Sequence, residues 1–450
     1  MAFEITKELL ENVTLQVTAQ NNKALSAIFS EMHHADIAEI LDELSFDEAV
    51  YIIRLLDSET TSEVLMDVDD DVREKILKQL TAKEIAEEVE ELDSDDAADV
   101  IAELSEERQE AVMSKIEDEE HVKEIEELLT YDEDSAGGLM AKELVQVNEN
   151  WTVLKCVREM RKQAEEVTRV HSIYVVDDEG KLKGRLSLKD LLVASTKTAI
   201  SKIYIPKVDS VHINDEAEDV ANIMRKYDLE AIPVVDDNKV LLGRITIDDI
   251  VDVIKEEADK DYQLAAGLVE DVDSDDSIIQ LTRARLPWLI LGLIGGVGAF
   301  LIMEGFEKLF DKGYSILFLF TPLIAAMAGN VGVQSSAIIV QGLANDDVKG
   351  SINSRLLKEM LLATLNGVIL ALFLFLFVWA YKQEITISLA ISVSLIAVII
   401  VAGLIGTFVP LFLDKRGIDP AIATGPFITT SNDILGILIY FMIAKSILGI

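Results

Sequence analysis

Hydrophobic residues divide the chain into a polar front, in which they recur at helix or strand spacing, and an apolar back. Five long runs in the back carry a single charge between them, Asp433. The runs are 286–303, 313–345, 360–381, 385–413 and 420–444. Each is long enough to cross the roughly 30 Å hydrocarbon core of a bilayer as one helix. The pattern therefore predicts a transmembrane domain of five α-helices at 283–450.

The first part of the chain, 1–131, has apolar positions at helical spacing and repeats itself. Residues 36–56 return as 84–104, with nine matching positions at an offset of 48. Ser45 and Asp93 occupy the N-cap position ahead of acidic first turns, which the helix dipole favours. Short stacked helices bury their apolar stripes against one another, so the repeat predicts an all-α, acidic helical-repeat domain.

The middle of the chain is duplicated as well. Residues 173–191 align with 232–250 at a constant offset of 59. Each copy has the pattern of an apolar strand, an Asp-Asp turn, a second strand and a helix. We therefore expect two α/β domains at 132–200 and 201–260. A linking helix follows at 261–282, interrupted near the letters V-E-D-V-D-S-D-D.

The distribution of charge also divides the chain into an acidic N-terminal part and a nearly neutral C-terminal part. Residues 1–282 hold 71 acidic and 29 basic residues, whereas 283–450 hold 10 and 11. Nucleic acid binding needs basic phosphate contacts, so this acidity argues against it. The carboxylates are either a solvated surface or oxygen ligands for divalent cations. Cys156 is the single cysteine, which rules out internal disulfides and fits a reducing compartment.

Asp433 carries the most informative chemistry, because a bare carboxylate at membrane depth costs roughly 2.5–3.5 kcal/mol on insertion scales. A cation is its simplest compensation. Poor helix formers with polar groups surround it: Thr424, Gly425, Pro426, Thr429, Thr430, Ser431 and Asn432. They predict an irregular, hydrated segment, which membranes tolerate where it borders a cavity. The alternative is a neutral carboxyl that is hydrogen-bonded between helices.

The second apolar run also holds small and polar residues at mid-membrane. They are Pro322, Gly329, Asn330, Gly332, Gln334, Ser335 and Ser336. One interpretation is a helix-packing face joined by amides. The other is a loosened helix whose carbonyls and amides face the water around an ion.

Acidic residues share helix faces in the front of the chain. Asp95 and Asp99 lie four apart, and Asp249, Asp252 and Glu256 follow i, i+3, i+7. Such faces are commonly no more than solvated surface. The histidines without a spaced partner for a transition-metal site are interpreted as surface residues: His33, His34 and His121.

Basic residues that flank the apolar runs predict the orientation. Those on the side of the acidic front are Arg283, Arg285, Lys349, Arg355, Lys358, Lys415 and Arg416. Those on the other side are Lys308, Lys312 and Lys382. The excess places the front in the cytoplasm and, after five spans, the C-terminus outside. The first residues lack the basic start and apolar core of a signal peptide.

The order of these parts resembles the MgtE family of magnesium channels or transporters over essentially the whole chain. P-x₆-G-N-x-G-x-Q begins at Pro322, and P-x₂-T-T-x-x-D ends at Asp433. The paired x-V-V-D-x…G-x-[LI]-[ST]-x-x-D-[LI] copies resemble a CBS-domain pair (cystathionine-β-synthase type). Val333 and Gly425 stand where asparagine is frequent in the family. Because of this departure, whether the side chains at these two positions contact a hydrated ion stays an open question.

The resemblance implies a homodimer in the bacterial plasma membrane, with its pore at the subunit interface and a cytosolic gate that responds to Mg²⁺. It implies that Asp433 is the pore carboxylate and that Gly329 and Asn330 border the pore. Asp419 would lie at the cytoplasmic mouth. Gating ions would bind at Asp95, Asp99, Asp228, Asp249, Asp252 and Glu257. CBS pairs often sense adenine nucleotides, so ATP is a candidate ligand, the alternative being an inert dimerisation scaffold.

Mg²⁺ suits a site with one or two carboxylates, because it sheds water reluctantly and keeps octahedral oxygen ligands. A broader transporter of Co²⁺ or Mn²⁺ is the alternative, and channel-like or coupled transport both stay open. A CBS-regulated anion channel would need basic groups in its pore, and an intramembrane aspartyl protease would need two membrane carboxylates. A membrane scaffold would leave the cost of Asp433 unexplained. We expect no enzymatic activity.

Overall fold

The computed structural model describes residues 5–164, 167, 169–269, 272, 276–307, 314–344, 348, 351–423 and 425–449. Four residues named above lie outside the described residues: Lys308, Lys312, Lys349 and Thr424. The chain divides into two compact units, Met1–Lys255 and Glu256–Ile450.

The first unit begins with helices only. They are α1 (Lys7–Thr18), α2 (Asn22–Phe29), α3 (His34–Asp42), α4 (Phe46–Ile53), α5 (Ser58–Asp67), α6 (Asp70–Gln79), α7 (Ala82–Val89), α8 (Ser94–Ala102), α9 (Glu106–Met113) and α10 (Glu119–Leu128). The repeated segments form the matching helix pairs α3–α4 and α7–α8. The equivalent residues Ile37 of the first pair and Ile85 of the second are both fully buried. The predicted all-α helical domain is confirmed, because each pair buries its apolar stripe in one shared core.

Helix caps occur where the sequence places them. Ser45 precedes α4 and forms a capping box with Glu48. Asp93 precedes α8, but its side chain makes no capping hydrogen bond and instead lies 3.3 Å from the guanidinium of Arg244. The backbone N–H of Ser94 donates to Glu143 at 3.1 Å. A carboxylate from outside the helix therefore satisfies a donor at the start of α8.

Two small mixed sheets follow, as expected for the duplicated α/β domains. The elements are β1 (Val145–Asn148), α11 (Val153–Gln163), β2 (Ile173–Val176), β3 (Leu182–Leu186), α12 (Leu188–Val193), a 3₁₀ turn (Ile200–Lys202), β4 (Val211–His212), α13 (Ala217–Tyr227), β5 (Ala231–Val235), β6 (Leu241–Thr246) and α14 (Ile247–Ala266). In each sheet the first strand pairs parallel and the third antiparallel to the central strand.

The two copies exchange their leading segments. Ala141, ahead of the first sheet, exchanges both backbone hydrogen bonds with Arg244 on β6 of the second. The chain passes so close that a Cβ on Gly243 would lie 2.6 Å from the Ala141 carbonyl oxygen. The segment that enters the first copy is thus held by the second.

The linking segment at 261–282, expected to be an interrupted helix, contains the end of one helix and the start of another. Its first residues continue α14, which ends at Ala266 ahead of Gly267 at φ +88°. Its last residues begin the first apolar helix, which a capping box between Ser277 and Gln280 starts. A left-handed backbone position favours glycine, so Gly267 explains why the helix ends there.

The second unit contains the five predicted long apolar helices. They are α15 (Ile278–Gly305), α17 (Thr321–Ala344), α18 (Ile352–Lys382), α19 (Ile385–Asp414) and α20 (Gly425–Leu448). The short helix α16 (Ile316–Leu319) precedes α17, and a 3₁₀ turn (Pro420–Ala423) precedes α20. Helix α19 packs against α17, α18 and α20, and α15 packs against α20. All five are long and apolar enough to cross a membrane, which confirms the predicted five-helix domain.

The irregular segment predicted around Asp433 is wrong, and of the two interpretations of the second apolar run the structure has a regular helix at Gly329 and not a loosened one. Helix α20 runs without a break from Gly425, and α17 continues through Gly329 and Gly332. Pro426 stands in the first turn of α20, where its missing N–H is not needed. The hydroxyl of Thr429 donates to the Gly425 carbonyl at 2.9 Å. Hydroxyls satisfied within the helix need no unwound backbone.

Candidate functional site

A recess of about 430 Å³ lies between α17 and α20 in the membrane unit. Its lining consists of Ala325, Ala326, Gly329, Asn330, Val333, Gln334, Thr429 and Asp433. Asp433 is half-buried, whereas Asn330 and Gln334 are exposed. The structure therefore brings three predicted site residues, Asp433, Gly329 and Asn330, to one place with a carboxylate and two amides.

Gly329 keeps this recess open beside the carboxylate. A Cβ on Gly329 would lie 3.2 Å from Cγ2 of Thr429 and 3.8 Å from Oδ1 of Asp433. A larger side chain there would begin to fill the space next to the acid. Val333, a departure from the family pattern, contributes an apolar surface to the same lining.

Asn432, the residue before Asp433, faces a different neighbour. It is buried, at 1 % exposure, and packs where Gly332 leaves no side chain. Within the described part of the chain, neither atom of its side-chain amide has a hydrogen-bond partner. Adjacent positions on α20 thus serve helix packing and the recess separately, since successive side chains point about 100° apart around a helix.

The long apolar helices of the second unit also hold a carboxylate that the sequence analysis did not single out. Glu359 on α18 is half-buried, and its Oε1 accepts a 2.6 Å hydrogen bond from Ser335 on α17. It stands one residue before the apolar run 360–381, whereas α18 begins earlier, at Ile352. A prediction based on the full length of the helix, and not on the uncharged run alone, would have placed Glu359 within the span.

A cluster of carboxylates lies in the first unit, at the N-termini of α8 and α14. Asp95, predicted from its helix face, is only 9 % exposed. Burial, followed by the charges of Asp96 and Asp249, raises the pKa of Asp95 well above its usual range. Burial, followed by the charge of Asp249, raises the pKa of Asp96 to about 7. These groups favour either a proton or a cation between them.

Asp249 is held in position by local bonds. Its Oδ2 accepts from the backbone N–H of Thr246 at 3.0 Å and from the hydroxyl at 2.7 Å. The pKa of Asp249 is nevertheless raised, chiefly by burial. Asp96 was not singled out in the sequence, because an acidic residue in the first turn of a helix is equally well explained by the helix dipole.

No hydrogen bond between described residues joins the remaining predicted gating carboxylates to this cluster, although the charge of Asp99, after burial and the charge of Asp249, helps to raise the pKa of Asp96. Asp99, Asp228 and Asp252 are exposed, and Asp228 ends α13 in a left-handed conformation at φ +51°. Glu257 accepts from Lys260 at 3.1 Å. Their role as metal ligands stays a prediction.

Asp419 lies just ahead of α20, outside the long apolar helices. It is exposed, and its Oδ1 accepts from the backbone N–H of Ala421 at 2.7 Å. Its charge, after burial, raises the pKa of Asp261 on α14. The two carboxylates are therefore within electrostatic range of each other, and Asp261 was not among the predicted site residues.

Comparisons with known proteins match each part of the chain. The MgtE divalent cation transporter family matches residues 321–443, the MgtE intracellular N domain matches 32–134, and the CBS domain matches 136–197 and 200–256. A solved structure described as the cytosolic domain of the Mg²⁺ channel MgtE in complex with ATP is 35 % identical. It covers 54 % of this chain and 100 % of its own, with a TM-score of 0.51.

Curated relatives extend the match over most of the chain. The magnesium transporter MgtE of Enterococcus faecalis is 39 % identical over 319 residues, 70 % of each protein. That of Thermus thermophilus is 36 % identical over 321 residues, 71 % of each. Both relatives are named as transporters. With its helical N-terminal domain, CBS pair and five apolar helices, this chain belongs to the MgtE family of magnesium transporters.

Proposed function

We propose that this protein is a Mg²⁺ channel or transporter of the bacterial plasma membrane that takes up magnesium and is gated by cytosolic Mg²⁺. The observation that carries the proposal is the half-buried carboxylate of Asp433 in a recess beside Asn330 and Gly329. An acid at membrane depth is costly without a counter-charge, so a passing cation gives it a purpose.

The chemistry of the recess favours a hydrated ion. Mg²⁺ keeps several of its waters and takes one or two carboxylates. In a homodimer, Asp433 from each subunit would supply that number. The amides of Asn330 and Gln334 would then bind the waters of the ion, while Val333 adds no ligand. Among the described lining residues Asp433 is the sole charged group, which argues against an anion pathway.

The cytosolic carboxylates give the protein a means to sense Mg²⁺. At high cytosolic Mg²⁺, ions would neutralise Asp95, Asp96 and Asp249 and hold the closed arrangement. At low Mg²⁺ the unneutralised charges repel one another and favour the open arrangement. Asp99, Asp228, Asp252 and Glu257 would take part as further ligands, and Asp419 would attract ions at the cytoplasmic mouth.

The proposal also includes the orientation of the chain in the membrane and the binding of a nucleotide to the CBS pair. The excess of basic residues on the side of the acidic front supports a cytoplasmic N-terminus and, with five spans, an outside C-terminus. The related cytosolic domain was solved in complex with ATP, which supports ATP as a ligand of the CBS pair.

Flux of Mg²⁺ into liposomes that carry the whole protein tests the function. We expect the variant Asp433→Ala to lose flux, while the matched variant Glu359→Gln, which removes the charge of a carboxylate outside the recess, retains most of it. Equal flux through wild type and Asp433→Ala would refute the proposed pathway. The same assay with Co²⁺, Mn²⁺ and Ca²⁺ distinguishes a magnesium-selective protein from a broader divalent-cation transporter.

A further inference from the structure

The sequence suggested that His121 is a simple surface histidine. In the structure it is part of a cluster with two glutamates. His121 and Glu124 lie one turn apart on α10, and Glu143 lies just ahead of β1. One potential ligand atom from each of the three lies within 4.8 Å of the others, and all three residues are half-buried. Within the described part of the chain, no other group of three His, Cys, Asp or Glu side chains meets this distance.

The imidazole of His121 is oriented by a backbone group. Its Nε2 lies 3.2 Å from the carbonyl oxygen of Val89, which can only accept, so Nε2 carries the proton. The lone pair of the neutral ring is therefore on Nδ1. Metal-binding histidines typically donate their other N–H to a carbonyl or carboxylate in this way, which fixes the tautomer and the ring orientation.

The carboxylate of Glu143 is oriented as well. Its Oε1 accepts from the backbone N–H of Ser94 at 3.1 Å, and its Oε2 accepts from the hydroxyl of Ser94 at 2.9 Å. Ser94 is fully buried and accepts in turn from the backbone N–H of Lys142 at 2.9 Å. Both oxygens keep a free lone pair, because a carboxylate oxygen accepts more than one bond.

One imidazole nitrogen and two carboxylates form a donor set for a first-row transition metal. A neutral imidazole suits Zn²⁺, Fe²⁺ and similar ions, whereas Mg²⁺ prefers oxygen ligands alone. The lone pair and the two anionic groups repel one another when nothing positive lies between them. We propose that His121, Glu124 and Glu143 bind a divalent transition-metal ion, separate from the Mg²⁺ sites of transport and gating.

Such an ion would join two parts of the first unit. It would connect α10 of the helical domain to the segment that leads into β1. Glu143 also caps α8, the helix that carries Asp95. Occupancy would therefore fix the position of α8 relative to the CBS pair, so a transition metal could influence the acidic cluster without entering it.

Zinc binding to the whole protein in detergent tests the inference. The protein is stripped of metal, and Zn²⁺ is titrated against a chromophoric chelator in a large excess of Mg²⁺. We expect one tight site per chain. His121→Gln and Glu124→Gln should each weaken it at least ~10-fold, and Ser94→Ala should weaken it less, because Ser94 only orients a ligand. An anomalous difference map at the zinc edge should place the ion between the three side chains.

The matched control is His212→Gln, a histidine 3.0 Å from Asp237 in the same unit, which should bind Zn²⁺ as wild type does. Circular dichroism checks that each variant is folded. If His121→Gln does not fold, Glu124→Gln alone tests the site. Wild-type affinity in both ligand variants would overturn the inference, as would displacement of Zn²⁺ by Mg²⁺. Neither result bears on the flux assay, so failure here is distinguishable from failure of the proposed function.

Discussion

The hydroxyl of Ser335 on α17 donates a 2.6 Å hydrogen bond to the carboxylate of Glu359 on α18. The pair lies where two long apolar helices meet, and a Cβ on Gly403 of α19 would stand 2.8 Å from the same carboxylate oxygen. Glu359 is thus half-buried among three helices, whereas Asp433 borders an open recess. The carboxylates of Glu359 and Asp433 therefore have different surroundings, a serine donor for Glu359 and an open recess for Asp433.

Ser335→Ala should destabilise the membrane unit by roughly 1–3 kcal/mol, because it leaves a half-buried carboxylate without this donor. The double variant Ser335→Ala with Glu359→Gln should recover part of the loss, since a neutral amide is less costly to leave unpaired than a charge. Thermal aggregation of the detergent-purified protein, followed by size-exclusion chromatography, measures both. A single variant as stable as wild type would contradict a structural role for the pair.

Gly332→Ala should be destabilising by roughly 1–3 kcal/mol through overpacking. Its Cβ would lie 1.8 Å from the side-chain nitrogen of Asn432 and 2.7 Å from Cγ2 of Ile428. The matched control is Gly292→Ala on α15, where nothing lies within 4 Å of the added atom. The same aggregation assay compares them, and Asn432→Ser should partly rescue Gly332→Ala. Equal melting of both alanine variants would show that α17 and α20 do not pack this closely.

The acidic cluster should make the first unit less stable as pH rises. The pKa of Asp96 is raised from 3.8 to about 7, chiefly by burial. A carboxyl whose pKa is raised on folding stabilises the fold while protonated, and that stability is lost between about pH 4 and pH 7. Asp95 and Asp249 shift in the same direction. The rise in the pKa of Asp96 alone corresponds to about 4 kcal/mol, at roughly 1.4 kcal/mol per pKa unit, so we expect a total loss of at least about 4 kcal/mol in metal-free buffer.

Hydrogen exchange of peptides from α8 in the whole protein, corrected for the intrinsic pH dependence of exchange, measures this loss. Asp96→Asn should flatten the profile, and Mg²⁺ should restore protection at neutral pH by neutralising the ionised groups. Protection that is independent of both pH and Mg²⁺ would mean that the cluster is solvated surface and senses nothing.

Removal of Asp249 and Asp252 together, as the asparagine double variant, should leave Mg²⁺ influx poorly inhibited by internal Mg²⁺. The reason is that fewer carboxylates then distinguish the ion-bound from the ion-free cytosolic arrangement. Flux in liposomes at low and high internal Mg²⁺ measures the inhibition. Asp236→Asn and Asp237→Asn, in the turn between β5 and β6, serve as the acidic control. Unchanged inhibition in the first double variant would count against the gating scheme.

Much of the fold could be predicted because local patterns encode it. The repeat at an offset of 48 gave matching helix pairs with Ile37 and Ile85 in one core, and the repeat at 59 gave two matching sheets. The apolar runs gave the spanning helices. The irregular backbone expected around Asp433 was wrong, because Pro426 stands in the first turn of α20 and the hydroxyl of Thr429 donates to the Gly425 carbonyl within the helix.

The sequence by itself determined the domain order, the five spans and the prominence of Asp433, since periodicity and the cost of a charge in lipid act on neighbouring residues or on single ones. Only the tertiary structure decided that Glu359 meets Ser335, that Glu143 meets Ser94 and lies beside His121, and that Asp96 belongs with Asp249. These partners come from separate elements, and the packing of those elements against one another brings them within hydrogen-bonding or electrostatic range.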